Sequence, residues 1–86
     1  MGEAAAEERI IETLVVAGRV PDPWGGPIAD VAKTIPRTFS AREIVVGLVT
    51  RGLVHWVQHA EKVSAGIQIT YSWRRGRAPA LPKWRQ

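Results

Sequence analysis

His55 and His59 stand four residues apart. On a strand that spacing turns both imidazoles to one face, and neutral imidazole is a common metal ligand. A tetrahedral site, however, needs further cysteine, histidine or carboxylate ligands. The chain has no cysteine, and no carboxylate cluster flanks the pair. No metal is expected, and the two histidines read as solvated strand residues. Ser40, His55 and Asp30 supply the residue types of a nucleophile, a base and an orienting acid, but nothing in their spacing brings them together. The carboxylates Glu3, Glu7, Glu8 and Glu12 read as one solvated helix face. "PWGGP" is too proline-bound for a phosphate-cradling glycine loop. The chain is therefore expected to be neither an enzyme nor a cofactor-binding protein.

The chemistry that remains is cationic. "YSWRRGRAPALPKWRQ", from Tyr71 to Gln86, holds five basic residues and no acid. Between Met1 and Asp30 there are six acids against two bases, whereas Lys62 to Gln86 carries six bases and no acid. The net charge of +4 understates that basic end. Such asymmetry suggests nucleic acid or another anionic surface as a partner, with a solubilising tail as the plain alternative. Arg74, Arg75, Arg77, Lys83 and Arg85 are the cations expected to supply non-specific affinity. Pro79 and Pro82 keep this segment extended. Trp84 offers either a stacking surface for an unpaired base or a pin onto the domain or a second subunit.

These groups need a scaffold. "EAAAEERIIETLVVAG" predicts a first helix, with Ala6, Ile10, Leu14 and Ala17 on one stripe beside Ile11 and Val15. Glu3, Glu7 and Glu8 suit its positive end, and Gly18 is its expected stop. "RVPDPWGGP" breaks the helix, and Trp24 within it is read as a lid folded onto the core. "PIADVAKTIP" predicts a second helix, opened by Pro27, ended by Pro36, and burying Ile28, Val31, Ala32 and Ile35. "SAREIVVGLVTRG" predicts a third, from about Ala41 to Arg51, roughly 16 Å long. Ser40 and Glu43 have capping-box spacing. Ile44, Val45, Leu48 and Val49 face inward, and Gly52 offers the left-handed cap. "LVHWVQH" and "GIQITYSW" read as strands joined by the polar stretch "AEKVSAG". In the second strand Ile67, Ile69, Tyr71 and Trp73 alternate with polar residues.

At 86 residues and 45% hydrophobic composition the chain is one small domain with a modest core. Residues 1–73 are expected to fold, with 74–86 as a basic arm. No apolar run approaches 18 residues, so no membrane span is expected. The acidic start is unlike a secretory signal. The expected location is the cytoplasm, or the nucleoid in a prokaryote. Arginine outnumbers lysine nine to three, and asparagine is absent. Both fit a thermophile or simply a GC-rich genome.

The run "IADVAKTIPRTFSAREIVVGLVTRGLVHW…GIQITYSW" resembles a winged helix-turn-helix domain. The resemblance covers about Glu3 to Trp73 and rests on the "DVAK" second helix, the Ser-capped third helix, the "LVTRGLV" exit and the two-stranded wing. The turn "TIPRTFS" departs from the family's usual glycine-containing turn. The resemblance implies an α+β, mainly α fold of three helices and a hairpin wing, followed by an extended basic tail. It also implies a recognition helix in the major groove. Candidate contacts are then Arg37, Ser40, Arg42, Val46, Thr50 and Arg51 on or beside the third helix, Lys62 on the wing, and the five tail cations. "RRGRAP" resembles an AT-hook core, with Ala78 intervening before Pro79.

The face opposite the apolar stripe holds Glu43, Val46, Gly47 and Thr50. Thr50 suits a base edge and Val46 a thymine methyl, but no central Arg, Asn or Gln offers a bidentate contact. The expected function is DNA binding, as a transcriptional regulator or chromatin-associated protein. The alternatives are an RNA-binding winged helix of ribosomal type and a protein-interaction module. A homodimer through the first helix or the tail is also expected.

Overall fold

The structure is a computed structural model that describes residues 2–81. It contains α1 (Glu3–Val16), α2 (Gly26–Ala32), α3 (Ala41–Thr50), β1 (Val54–Val63) and β2 (Gly66–Arg75). The strands pair antiparallel as one hairpin, so the chain has the expected α+β arrangement of three helices and a wing. No described helix is long and apolar enough to cross a membrane.

The core sits where the three helices meet the base of the wing. α1 contributes Ile10, Ile11 and Leu14, and α2 contributes Ile28 and Val31. Ala41, Val45 and Leu48 come from α3, Val54 and Trp73 from the hairpin. These positions recur at helical spacing on each helix, so one stripe of each is withdrawn from water. Trp73 is 1% exposed and its indole N–H donates to the Pro23 carbonyl at 3.2 Å. That bond ties the loop after α1 to the base of the wing and satisfies the buried donor.

Trp24 folds back as the expected lid. Its ring meets Trp56 at 5.3 Å and Trp73 at 5.8 Å, both edge-on, and Trp56 meets Trp73 at 5.7 Å. Edge-to-face packing sets the positive rim of one ring against the negative face of another.

Helix ends follow their residues. Gly18 and Gly52 adopt φ of 78° and 74°, just past α1 and α3. At α3 the Leu53 N–H bonds the Leu48 carbonyl and the Gly52 N–H bonds the Val49 carbonyl, a Schellman closure. The Ser40 hydroxyl accepts from the Glu43 N–H at 3.5 Å. The Glu43 side chain makes no return bond to the Ser40 N–H among the described residues, so the capping box is one-sided.

The structure departs from the sequence expectations in further places, and Ala6, Ala17 and Ala32, expected on the apolar stripes, are exposed because each lies at the margin of its helix's buried face. α2 ends at Ala32, four residues before Pro36. The Lys33 and Thr34 N–H groups bond three residues back, and the Thr34 hydroxyl donates to the Val31 carbonyl, tightening the last turn into a stop. The wing is longer than expected, because Ala60–Val63 pair with Gly66–Ile69 and only Ser64 and Ala65 make the turn. β2 continues through Arg74 and Arg75, opposite His55 and Val54, so the ordered pairing does not stop at Trp73. Finally, Val20 forms an isolated bridge with Tyr71 through two bonds of 2.8 and 2.7 Å. A single paired residue between prolines and glycines leaves no periodicity to read.

Candidate nucleic-acid interface

α3 presents Arg42, Glu43, Val46 and Thr50 to solvent, with Gly47 half-buried between them. Val46 is 44% exposed. The Thr50 hydroxyl donates to the Val46 carbonyl at 2.8 Å, one turn back. This bond employs the only Thr50 donor within the helix itself and leaves its lone pairs outward. The exposed face is thus smooth, nearly neutral and poor in hydrogen-bond donors.

Cations stand at its two ends. Arg37 lies in a β-turn closed by the Phe39 N–H to Pro36 carbonyl bond, immediately before α3, and is exposed. Arg42, in the first turn of α3, sets its guanidinium 5.4 Å from the Trp24 ring centre. This cation–π contact holds the side chain against the tryptophan cluster without neutralising it. At the other end, Arg77 packs on Gly52. A methyl group built on Gly52 would meet the guanidinium at 2.9 to 3.0 Å. Lys62 sits near the wing tip opposite Ile67, on the same hairpin face as Trp56 and Trp73.

Other candidate cations are engaged elsewhere. Arg51 bonds Glu7 of α1 at 2.6 Å. Arg75 bonds Glu8 at 2.5 Å and lies 4.0 Å from Glu12. That hydrogen bond from Arg75 pulls the Glu8 carboxyl below its ordinary range, and Glu8 raises Arg75 in turn. Both groups are solvent-exposed, so the interaction is heavily screened. Arg19 pairs with Glu61, and Lys33 lies 3.4 Å from Asp30. Arg74 alternates to the hairpin face away from Trp73 and lines a groove with Val15, Arg19, His59 and Ser72. Lys83 and Arg85 lie outside the described residues. Among the described residues, Arg9, Arg37, Arg42, Lys62, Arg74 and Arg77 have no carboxylate partner.

The acidic face of α1 is therefore not simply solvated. Three of its carboxylates hold Arg51 and Arg75, which ties α1 to the end of α3 and to β2.

The "RRGR" segment is anchored rather than free. The Gly76 N–H donates to the Leu53 carbonyl at 2.8 Å, and His55 Nδ1 lies 2.9 Å from the Gly76 carbonyl. His59 Nε2 lies 2.7 Å from the Ser72 hydroxyl. Both histidines thus serve as internal hydrogen-bonding groups and are not merely solvated. No cluster of three or more possible metal ligands occurs among the described residues.

No family model matches the sequence, and neither the curated proteins nor the solved structures contain a match to it.

Proposed function

We propose that this chain is a small winged-helix protein that binds duplex DNA with little sequence preference. One observation carries this reading. The smooth outer face of α3 is bracketed by cations that have no carboxylate partner among the described residues, Arg37 and Arg42 at one end and Arg77 at the other. A helix of 10 residues spans about 15 Å at 1.5 Å per residue. The major groove is about 12 Å wide, so cations at the two ends of α3 match phosphates on its two rims. Phosphate contacts position a protein, whereas base edges supply sequence information. With Val46 and a self-bonded Thr50 at the centre, α3 offers a thymine methyl contact and little more. Lys62 extends the same charge along the wing, and Lys83 and Arg85 follow in sequence.

A second reading, a protein-interaction module, draws on a different surface. Ile10, Ile35, Pro36, Phe39 and Ile44 line a groove of about 510 Å³ between α1 and α3, in which Phe39 is 59% exposed. Fluorescence anisotropy with a labelled DNA duplex, a structured RNA and a single strand separates the readings. Duplex binding is expected, with log K falling linearly with log salt at about 0.9 per phosphate contacted. Replacing Arg37, Arg42 and Arg77 together with alanine is expected to flatten that slope by about two to three units. Absence of binding at low salt overturns the reading in favour of the interaction module. Preference for the structured RNA moves it to an RNA-binding protein.

A further inference from the structure

We infer that two copies of this chain pair through the free edge of β2, with Gly66–Thr70 of one copy laid antiparallel against Gly66–Thr70 of the other. The direction of the backbone groups follows from the Val20 bridge. Tyr71 exchanges both its N–H and its C=O with Val20, so these point away from β1. The two-residue period of a strand puts the N–H and C=O of Ile67 and Ile69 on that same outer edge. Val20 is the only isolated bridge partner among the described residues, and it covers Tyr71 alone. Among the described residues nothing pairs with the edge from Gly66 to Thr70, which is an open ladder.

Edge strands are usually protected by charge, proline or a bulge. β1 has Glu61 and Lys62 near its tip. The stretch Gly66–Tyr71 has no charged residue and no proline, and its register with β1 runs without interruption. It also presents apolar side chains, with Ile67 at 74% and Ile69 at 42% exposure. An uncharged edge carries no repulsion against its own copy, which makes a second copy its natural occupant.

The register is determined by the same geometry. Outward-facing residues must pair with outward-facing residues. Placing the two-fold axis at Gln68 sets Ile67 against Ile69 of the second copy, and the reverse, so four ladder bonds form. Shifting the axis to Ile69 would set Ile67 against Tyr71, which Val20 already occupies. Shifting it to Ile67 would set Ile69 against the turn residue Ala65. The Gln68-centred register brings four isoleucines together on one sheet face and consumes the open edge, so the assembly closes as a two-fold dimer. The seam is short, so association is reversible and concentration-dependent.

Sedimentation equilibrium on the full chain tests this. Twice the 9.5 kDa chain mass, about 19 kDa, is expected to appear as concentration rises from about 10 to 500 µM. Ile67→Pro removes an outward N–H while sparing the bonds to β1, and Ile69→Lys adds like charges across the axis. Each is expected to weaken dimerisation at least tenfold. The chain has no cysteine, so a single introduced thiol reports the register. Gln68→Cys places two sulfurs across the axis in a non-hydrogen-bonded pair with Cα atoms about 4.5 Å apart, within disulfide reach. It is expected to oxidise to a covalent dimer at least tenfold faster than Thr70→Cys. A monomer throughout the concentration range overturns the inference. So does equal oxidation of the two cysteine variants, or a dimer indifferent to Ile69→Lys, which would place the interface at α1 or the C-terminal segment.

Discussion

The guanidinium of Arg77 lies against the α-carbon of Gly52, within about 3 Å of where a side chain would begin. Gly52 is constrained twice, by its φ of 74° and by this contact. Gly52→Ala is therefore expected to destabilise by about 1 to 2 kcal/mol from the left-handed backbone alone, and to displace Arg77 as well. Urea denaturation measures the first effect. The DNA salt slope measures the second, which should fall by about one unit if Arg77 contacts phosphate in place.

Two truncations should separate the strand-paired part of the C-terminal segment from the residues that follow it. Removing residues 78–86 takes away Lys83 and Arg85 while leaving β2 whole. It is expected to flatten the salt slope by up to about two units without removing any β1–β2 pairing. Removing residues 74–86 also deletes the Arg75–Glu8 pair and both Gly76 bonds. Loss of the two Gly76 bonds is expected to cost about 2 kcal/mol at roughly 1 kcal/mol per hydrogen bond, or about 8 to 16 °C in Tm for a domain this small. Thermal melts of the two truncations, compared side by side, check this.

Among the described residues the start of α3 has one side-chain capping bond, from the Glu43 N–H to the Ser40 hydroxyl at 3.5 Å. Ser40→Ala is expected to cost about 0.5 to 1 kcal/mol. Glu43→Ala should cost about 0.3 kcal/mol through the helix dipole. Without a reciprocal bond the two losses should add in the double variant. A coupling above about 0.5 kcal/mol would restore the two-sided box that the Ser-x-x-Glu spacing led one to expect.

Glu8 titrates below its ordinary value in the folded chain because Arg75 hydrogen-bonds its ionised form. A depressed carboxyl adds stability above its unfolded pKa of about 4.3, and loses that contribution as pH falls through the folded value. Glu8→Gln should therefore lower Tm near pH 7 and have progressively less effect toward pH 3. Because the pair is exposed, 0.5 M salt should shrink the difference near pH 7.

Helix faces and glycine stops were legible because each rests on a local rule. Leu14, Val31 and Leu48 each lie on the apolar stripe of their own helix and are fully buried, and Gly18 and Gly52 fall where a left-handed residue is needed. Positions that depend on partners distant in sequence were not legible. Nothing near Arg51 or Arg75 announces that α1 will neutralise them, since Glu7 lies 44 residues from Arg51. The Val20–Tyr71 bridge spans a similar gap and leaves no pattern in one residue. For the candidate interface, composition drew attention to the basic residues. Which of them keep their charge free of a carboxylate depended on tertiary pairing.

The tryptophan triad also makes the molecule its own optical gauge. Trp24, Trp56 and Trp73 belong to a loop and two strands, yet their rings lie within 5.3 to 5.8 Å of one another. Indoles that close exchange excitation energy, and their coupled transitions give strong near-ultraviolet circular dichroism. Any movement of the wing relative to the loop after α1 changes that coupling before secondary structure is lost. Separation of these elements would be seen as a spectral change in the unlabelled protein. Arg42, seated on Trp24, connects the same signal to the first turn of α3.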